Sequence, residues 1–295
     1  MHSRMALPVD NAVTTPLALA CAFTAAVGAI IGSFLNVVIH RLPREQSIVL
    51  PSSKCPKCKT AIKPYDNVPV ISYLILRGRC RSCGVRISPR YPAVEAITAI
   101  LFAAVTWKDG LSFALGFDLA LAAALVALIF IDAEHMILPN RITYPGMVFA
   151  LIARLSVPYL VGPGHFDDLP QLLSFFPAWP MWAVSLAGAC LGALVGGGFL
   201  WVMGFMWEKL RGIEAMGFGD VKMMLMVGAF LGWRLSILTI LIGALSGSLA
   251  GIAVMYRRGR NLQMMLPFGI FLGIGSIVAL LFGPQIIHWY ASQFR

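Results

Sequence analysis

The chain has 295 residues, of which 59% are hydrophobic and 12% charged. Soluble domains carry about 25% charged residues, so composition argues against a water-soluble enzyme and for a membrane protein. The net charge of +10 first suggests nucleic-acid binding, but residues 41–92 supply +9 of it, with eleven Lys and Arg against Glu45 and Asp66. Charge gathered in one loop marks a cytoplasmic segment under the positive-inside rule, and no nucleic-acid partner is expected.

In chain order, Met1 to Asn11 lacks a basic leader region and a cleavage site, so the first apolar run, 17–39, reads as a retained span. Seven more runs follow at 93–107, 113–131, 142–161, 180–206, 221–232, 235–256 and 266–289. Most approach the length needed to cross roughly 30 Å of hydrocarbon as a helix. The expected fold is therefore all-α and polytopic, with about eight transmembrane helices.

Between the first two runs lies the basic loop, with Cys55-Pro56-Lys57-Cys58 and Cys80-Arg81-Ser82-Cys83. Two Cys-x-x-Cys knuckles in a reducing compartment point to a closed tetrahedral zinc site rather than disulfides. A loop of this size cannot build a large core, and one structural zinc ion would supply its folding energy in a zinc-ribbon-like arrangement. An iron–sulfur site and a redox dithiol are the less favoured readings. Cys21 and Cys190 lie in apolar runs and read as core fillers.

Glu95 opens the second run and fits a helix-start charge. Asp132 ends the third, and Glu134 follows as a solvated loop charge, as does Glu214 further on. Residues 162–180, with His165, Asp167 and Asp168, read as an outer surface connection without chemistry. In the fifth run Gly188, Gly192 and Gly196 recur at a spacing that lets helices approach closely.

Asp220, in Gly217-Phe218-Gly219-Asp220-Val221-Lys222, opens a sixth run of only twelve residues, about 18 Å of helix. If Arg234 reaches the outer interface, Asp220 is recessed in the membrane. Span parity puts Asp132 and Asp220 on one face. With the N-terminus outside, cytoplasmic segments hold 18 of the 23 Lys and Arg: Arg41 to Arg90, Arg141, Lys209, Arg211, Lys222, Arg257, Arg258 and Arg260. Arg4, Lys108, Arg154, Arg234 and Arg295 remain outside, so both termini are expected in the periplasm and both aspartates at the cytoplasmic face.

An ionisable group at membrane depth is a functional hypothesis by default. Two carboxylates close together share a proton, so one can activate water while the other donates to a carbonyl and then to a leaving amine. The flanking Gly217 and Gly219 would admit a peptide beside Asp220.

Several motifs together resemble the prepilin peptidases: Gly32-Ser33-Phe34-Leu35-Asn36 running to His40-Arg41-Leu42-Pro43; Asn67-Val68-Pro69-Val70-Ile71-Ser72-Tyr73-Leu74 leading into Arg77-Gly78-Arg79-Cys80; Tyr91-Pro92-Ala93-Val94-Glu95; Asp132 with Leu138-Pro139; and Gly217-Phe218-Gly219-Asp220 with Lys222. The resemblance covers about residues 27 to 290. It implies an enzyme of the bacterial inner membrane that cleaves the basic leader of type IV prepilins and type II secretion pseudopilins. It would then N-methylate the new N-terminus with S-adenosylmethionine. It assigns catalysis to Asp132 and Asp220 and zinc to Cys55, Cys58, Cys80 and Cys83. The implied division is a first helix with the N-terminal signature (1–40), the zinc loop (41–92) and an aspartic peptidase region (93–295). Many members have an acid where Asn140 stands, and the 162–180 loop is long.

No strand–Gly-x-Gly–helix unit for the methyl donor is visible, and its site stays unassigned beyond the side of the zinc loop and the Gly32–Pro43 segment. The alternative is an intramembrane aspartyl peptidase without methyl transfer. A transporter would show repeated halves and midplane charges, and a tethered zinc ribbon for nucleic acid leaves the motifs unexplained.

Overall fold

The computed structural model describes residues 11–50, 53–55, 57–212, 217–258 and 267–293. Arg4, Pro56, Glu214, Arg260 and Arg295 lie outside these. Among the described residues the chain is helical, with α1 (Asn11–Arg41), α2 (Ile71–Ile75), α3 (Arg90–Asp109), α4 (Leu115–His135), α5 (Asn140–Leu160) and α6 (Leu169–Phe175) in its first part. Then come α7 (Met181–Ala193), α8 (Phe199–Arg211), α9 (Phe218–Leu231), α10 (Trp233–Arg258) and α11 (Phe268–Ser292). A π-helical turn at Leu194–Gly198 joins α7 to α8. Among the described residues, strand pairing is limited to two single antiparallel bridges in the basic loop, Lys54 with Ala61 and Arg79 with Arg86.

Punctuation in the sequence sets the helix ends. Pro89, Pro139, Pro180 and Pro267 each stand directly before a helix, where a missing N–H costs nothing and φ is already helical. Gly232, at φ +87°, stops α9, a backbone conformation that glycine adopts freely. Five segments, Pro16–Arg44, Leu115–His135, Met181–Arg211, Trp233–Tyr256 and Phe268–Ser292, are long and apolar enough to cross a membrane. Leu241, Leu245, Leu249 and Ile252 form an exposed apolar stripe along α10, a face suited to lipid and not to water.

Helix α9 is the centre of the bundle. Met223, Met224, Met226 and Val227 are fully buried, and α5, α7, α10 and α11 surround it. Close approach on the α7 side depends on glycine. A side chain on Gly192 would strike the Gly228 carbonyl, and one on Gly196 would meet the Met224 carbonyl at 2.7 Å. The π turn falls beside this contact. The packing expected of the four-residue glycine spacing is thus directed at α9.

Three expectations are corrected. The 162–180 segment is not a mere surface connection: it carries α6, and its Asp168 is wholly buried, 2.8 Å from Arg154 of α5. The reason is electrostatic. Arg154 is fully buried with its guanidinium 4.2 Å from the Phe166 ring, and its Nε donates to the Ala229 carbonyl at 3.1 Å; a buried cation needs a charged partner. Cys190 is exposed and Cys21 half-buried, because their faces of α7 and α1 turn away from the packed interior. Asp132 does not end its helix, since α4 runs on to His135 and is capped by Met136 in the left-handed conformation.

Replacing Asp168 with Ala strands the Arg154 charge and should destabilise the fold by about 3–5 kcal/mol. The double variant Arg154→Met, Asp168→Leu should recover most of that loss. Thermal unfolding of the detergent-solubilised protein reads this directly, and equal melting of single and double variants would contradict the pairing.

Candidate functional site

Asp132 and Asp220 come from opposite helix ends. Asp132 sits in the last turn of α4, and Asp220 occupies the first turn of α9, where its N–H donates to the Gly217 carbonyl at 3.0 Å. Both side chains are buried, and they meet at the start of α11. There the Ile270 N–H donates to Asp132 Oδ2 at 3.0 Å. A side chain on Gly269 would begin 2.8 Å from Asp132 Oδ2 and 3.1 Å from Asp220 Oδ1. One small point in space therefore touches both carboxylates, and glycine alone keeps it open. The α11 start is a part of the site that the sequence reading missed; Pro267 followed two residues later by Gly269, opening an apolar run, is the signal that marks it.

The two aspartate motifs also touch each other. A side chain on Gly219 would meet Leu138 Cβ at 3.0 Å, so the glycine serves packing against the Leu138-Pro139 turn instead of admitting a peptide there. Gly217 is the open one, with only Asp220 Oδ2 at 3.8 Å. Lys222 Nζ donates to Asn140 Oδ1 at 2.8 Å and lies over the Phe218 ring at 4.7 Å. Asn140 thus ties α5 to α9 as a neutral acceptor in place of an acid.

Glu134 is an ion-pair partner of Arg90, not a free loop charge, and the pair links the end of α4 to the start of α3. Glu95 is likewise more than a helix-start charge. It is buried and accepts from the Val70 N–H at 2.7 Å. A side chain on Gly32 would meet Glu95 Cα at 2.7 Å, and Asn36 Nδ2 donates to the Tyr91 carbonyl at 3.0 Å. The three N-terminal motifs therefore converge around Glu95.

In the basic loop the four cysteines are brought together, all unpaired, with their sulfur atoms within 4.8 Å of one another. Cys55 and Cys83 lie 3.8 Å apart, and Cys58 and Cys80 4.0 Å. A tetrahedral zinc–thiolate centre with bonds of about 2.3 Å separates its sulfurs by roughly 3.8 Å, so this donor set fits a metal ion. The two knuckles repeat one design: Cys55 N–H donates to Thr60 and Lys59 N–H to Cys55, as Cys80 does to Val85 and Gly84 to Cys80. Bonds with the Thr60 side chain and backbone pull the Cys58 thiol down to about 6, and backbone bonds from Cys83 and Ser82 lower Cys80. The Val85 amide favours the Cys83 thiolate, but desolvation and the neighbouring thiols outweigh it and push Cys83 up to about 11. Asp66 braces the loop by accepting from Arg81 Nε and Nη2 at 2.9 and 2.6 Å, which holds its carboxyl below the usual range.

Fold and site together define a helical membrane protein with a buried aspartate pair at one end of its bundle and a loop whose four clustered cysteines could hold a metal ion. The chain belongs to the type IV leader peptidase family. The model of that family matches residues 119–252, and that of the bacterial peptidase A24 N-terminal domain matches residues 26–109. Proteins named prepilin leader peptidase/N-methyltransferase are similar over nearly the whole chain. The one from Pseudomonas aeruginosa is 35% identical, covering 96% of this chain and 97% of its own length. That from Aeromonas hydrophila is 36% identical over 90% and 91%, and that from Burkholderia pseudomallei 33% over 96% and 92%. No solved structure matches.

Glu95→Ala would leave the Val70 N–H without its acceptor, at a cost of about 1–3 kcal/mol. Limited proteolysis of residues 50–90 should then run roughly tenfold faster while the helical bundle stays intact. Unchanged cleavage rates would remove Glu95 as the anchor of the loop.

Proposed function

We propose that this chain removes the leader of prepilins and pseudopilins at the cytoplasmic membrane face and N-methylates the new N-terminus. Those are the two activities its relatives are named for. The observation that carries the reading is the convergence of Asp132 and Asp220 on the open point beside Gly269. In the proposed mechanism the pair shares one proton. One carboxylate takes a proton from water as it attacks the scissile carbonyl. The other donates its proton to the carbonyl oxygen; the first then passes the proton taken from water to the departing amine, and the acid recovers its own as the carbonyl re-forms. The Ile270 N–H holds Asp132 in position, and the gap left by Gly269 receives the peptide bond.

Eight helical segments are read as crossing the membrane, with α7 and α8 as one span and both termini outside. Supporting this orientation, the Arg90–Glu134 pair sets the basic loop at the same end of the bundle as Asp132. The division into 1–40, 41–92 and 93–295 follows from it. Cys55, Cys58, Cys80 and Cys83 are assigned one structural zinc in a zinc-ribbon-like loop.

S-adenosylmethionine would supply the methyl group. A cleft of about 530 Å³ between the end of α1 and the start of α5, walled by Val38, Leu42, Glu45, Ser47, Arg141 and Ile142, is of ligand size. The Glu45 carboxylate suits a cationic donor. Arg141 adjoins Asn140, the Lys222 partner, so the cleft neighbours the aspartate site. Cleavage must precede methylation, because only cleavage creates the free amine.

Asp132→Asn and Asp220→Asn should each lower prepilin cleavage more than about 1000-fold without changing membrane insertion. A single variant that keeps over a tenth of the activity would overturn the assignment. Both variants should still methylate a pilin supplied already cleaved. Elemental analysis should find zinc lost in the Cys80→Ser, Cys83→Ser double variant, with methylation falling more than cleavage.

A further inference from the structure

At the other end of α4 a second cluster of ligand-type side chains is present. Asp109 from the last turn of α3, Asp118 from the first turn of α4 and His165 from the outer segment place their ligand atoms within 4.8 Å of one another. Asp118 lies fourteen residues from Asp132 on the same helix, about 21 Å along its axis, so this cluster is separate from the aspartate pair.

Two features set it apart from an ordinary group of surface acids. Asp118 is 1% exposed and the Asp109 side chain 8%. In each, Oδ2 is buried and receives no hydrogen bond. A buried carboxylate oxygen without a donor is costly. His165 Nε2 stands 3.2 Å from Asp118 Oδ2, an ion pair when the imidazole is protonated but not a hydrogen bond. Lys108 lies 3.2 Å from Asp109 Oδ1 and donates to the Leu280 carbonyl at 2.7 Å. The remaining charge of the two acids points at the space between them and the imidazole.

We infer that Asp109, Asp118 and His165 form a divalent-cation site at the outer end of the bundle. Two carboxylate oxygens and one imidazole nitrogen suit zinc or manganese. Ligands on tetrahedral zinc sit about 3.3 Å apart, so the side chains close by a small rotamer adjustment. A fourth position remains for water on the His165 side, where the imidazole is 12% exposed. The ion cross-links the α3–α4 turn to the outer segment. Arg154–Asp168 and Arg234–Asp167, at 2.8 and 3.1 Å, already tie that segment to α5 and to the start of α10. The inference is independent of the peptidase reading.

The full chain, purified in detergent, stripped of metal and equilibrated separately with Zn²⁺, Mn²⁺ and Ca²⁺, tests it by ion counting. The wild type should hold one more ion per chain than Asp118→Asn or His165→Gln, for Zn²⁺ or Mn²⁺. The same deficit of one should appear when these changes are made on the Cys80→Ser, Cys83→Ser background, which separates the new site from the cysteine loop. Asp118→Asn preserves side-chain shape, His165→Gln keeps a polar side chain of comparable reach, and metal-free melting close to that of the wild type shows that they fold. On the Cys80→Ser, Cys83→Ser background, added ion should raise the melting temperature, and adding His165→Gln to that background should abolish the rise. Equal ion counts in wild type and variants for all three metals would overturn the site and leave a set of salt bridges.

Discussion

Helix α9 has fourteen residues and so extends about 21 Å, short of the roughly 30 Å of a hydrocarbon core. A helix of that length with a carboxylate in its first turn is tolerable only inside protein, because lipid offers neither a hydrogen bond nor a counter-charge. The rest of the bundle is arranged to meet that demand. Glycines on α7 and in the π turn let backbone meet backbone along one side of α9, and Gly146 of α5 leaves room for Met226 on another. Gly219 admits Leu138, and the Lys222–Asn140 bond fixes the N-terminal turn. The result is a carboxylate buried at a chosen depth, beside a second one delivered by α4.

Helix α11 completes the pair from a third direction. Its first N–H groups are free of intrahelical bonds, and one of them binds Asp132. Gly269, next to it, is a position where a side chain would touch both acids. Orientation of the carboxylates is thus set by backbone and by the absence of a side chain, which keeps the geometry rigid without filling the reaction space.

Where described, the eight apolar runs read from the sequence fall on helices, the fifth interrupted by a π turn, since a run of apolar residues bounded by proline and glycine leaves the backbone few other choices. Asp132, Asp220 and the four cysteines were legible because carboxylates in apolar runs and paired knuckles are rare. What was not legible is long-range. Nothing local in Asp168 tells that Arg154 needs a buried partner, so the 162–180 segment looked like surface. Glu95 resembled a helix-start charge because the Val70 N–H that it accepts from is 25 residues away in the chain. Gly219 looked like an opening because the sequence does not reveal that Leu138 fills it.

The convergence of α4 and α9 is the claim on which the proposed chemistry stands, and cross-linking in native membranes tests it most directly. Asp132 and Asp220 are replaced together by cysteine, and a protease site is inserted between Phe176 and Pro180. The chain is oxidised or treated with mercuric ion and then cut. The structure predicts that the two fragments remain joined on a denaturing gel for the double variant and separate for either single one. Fragments that separate in the double variant as well would place the two carboxylates apart and contradict a shared site.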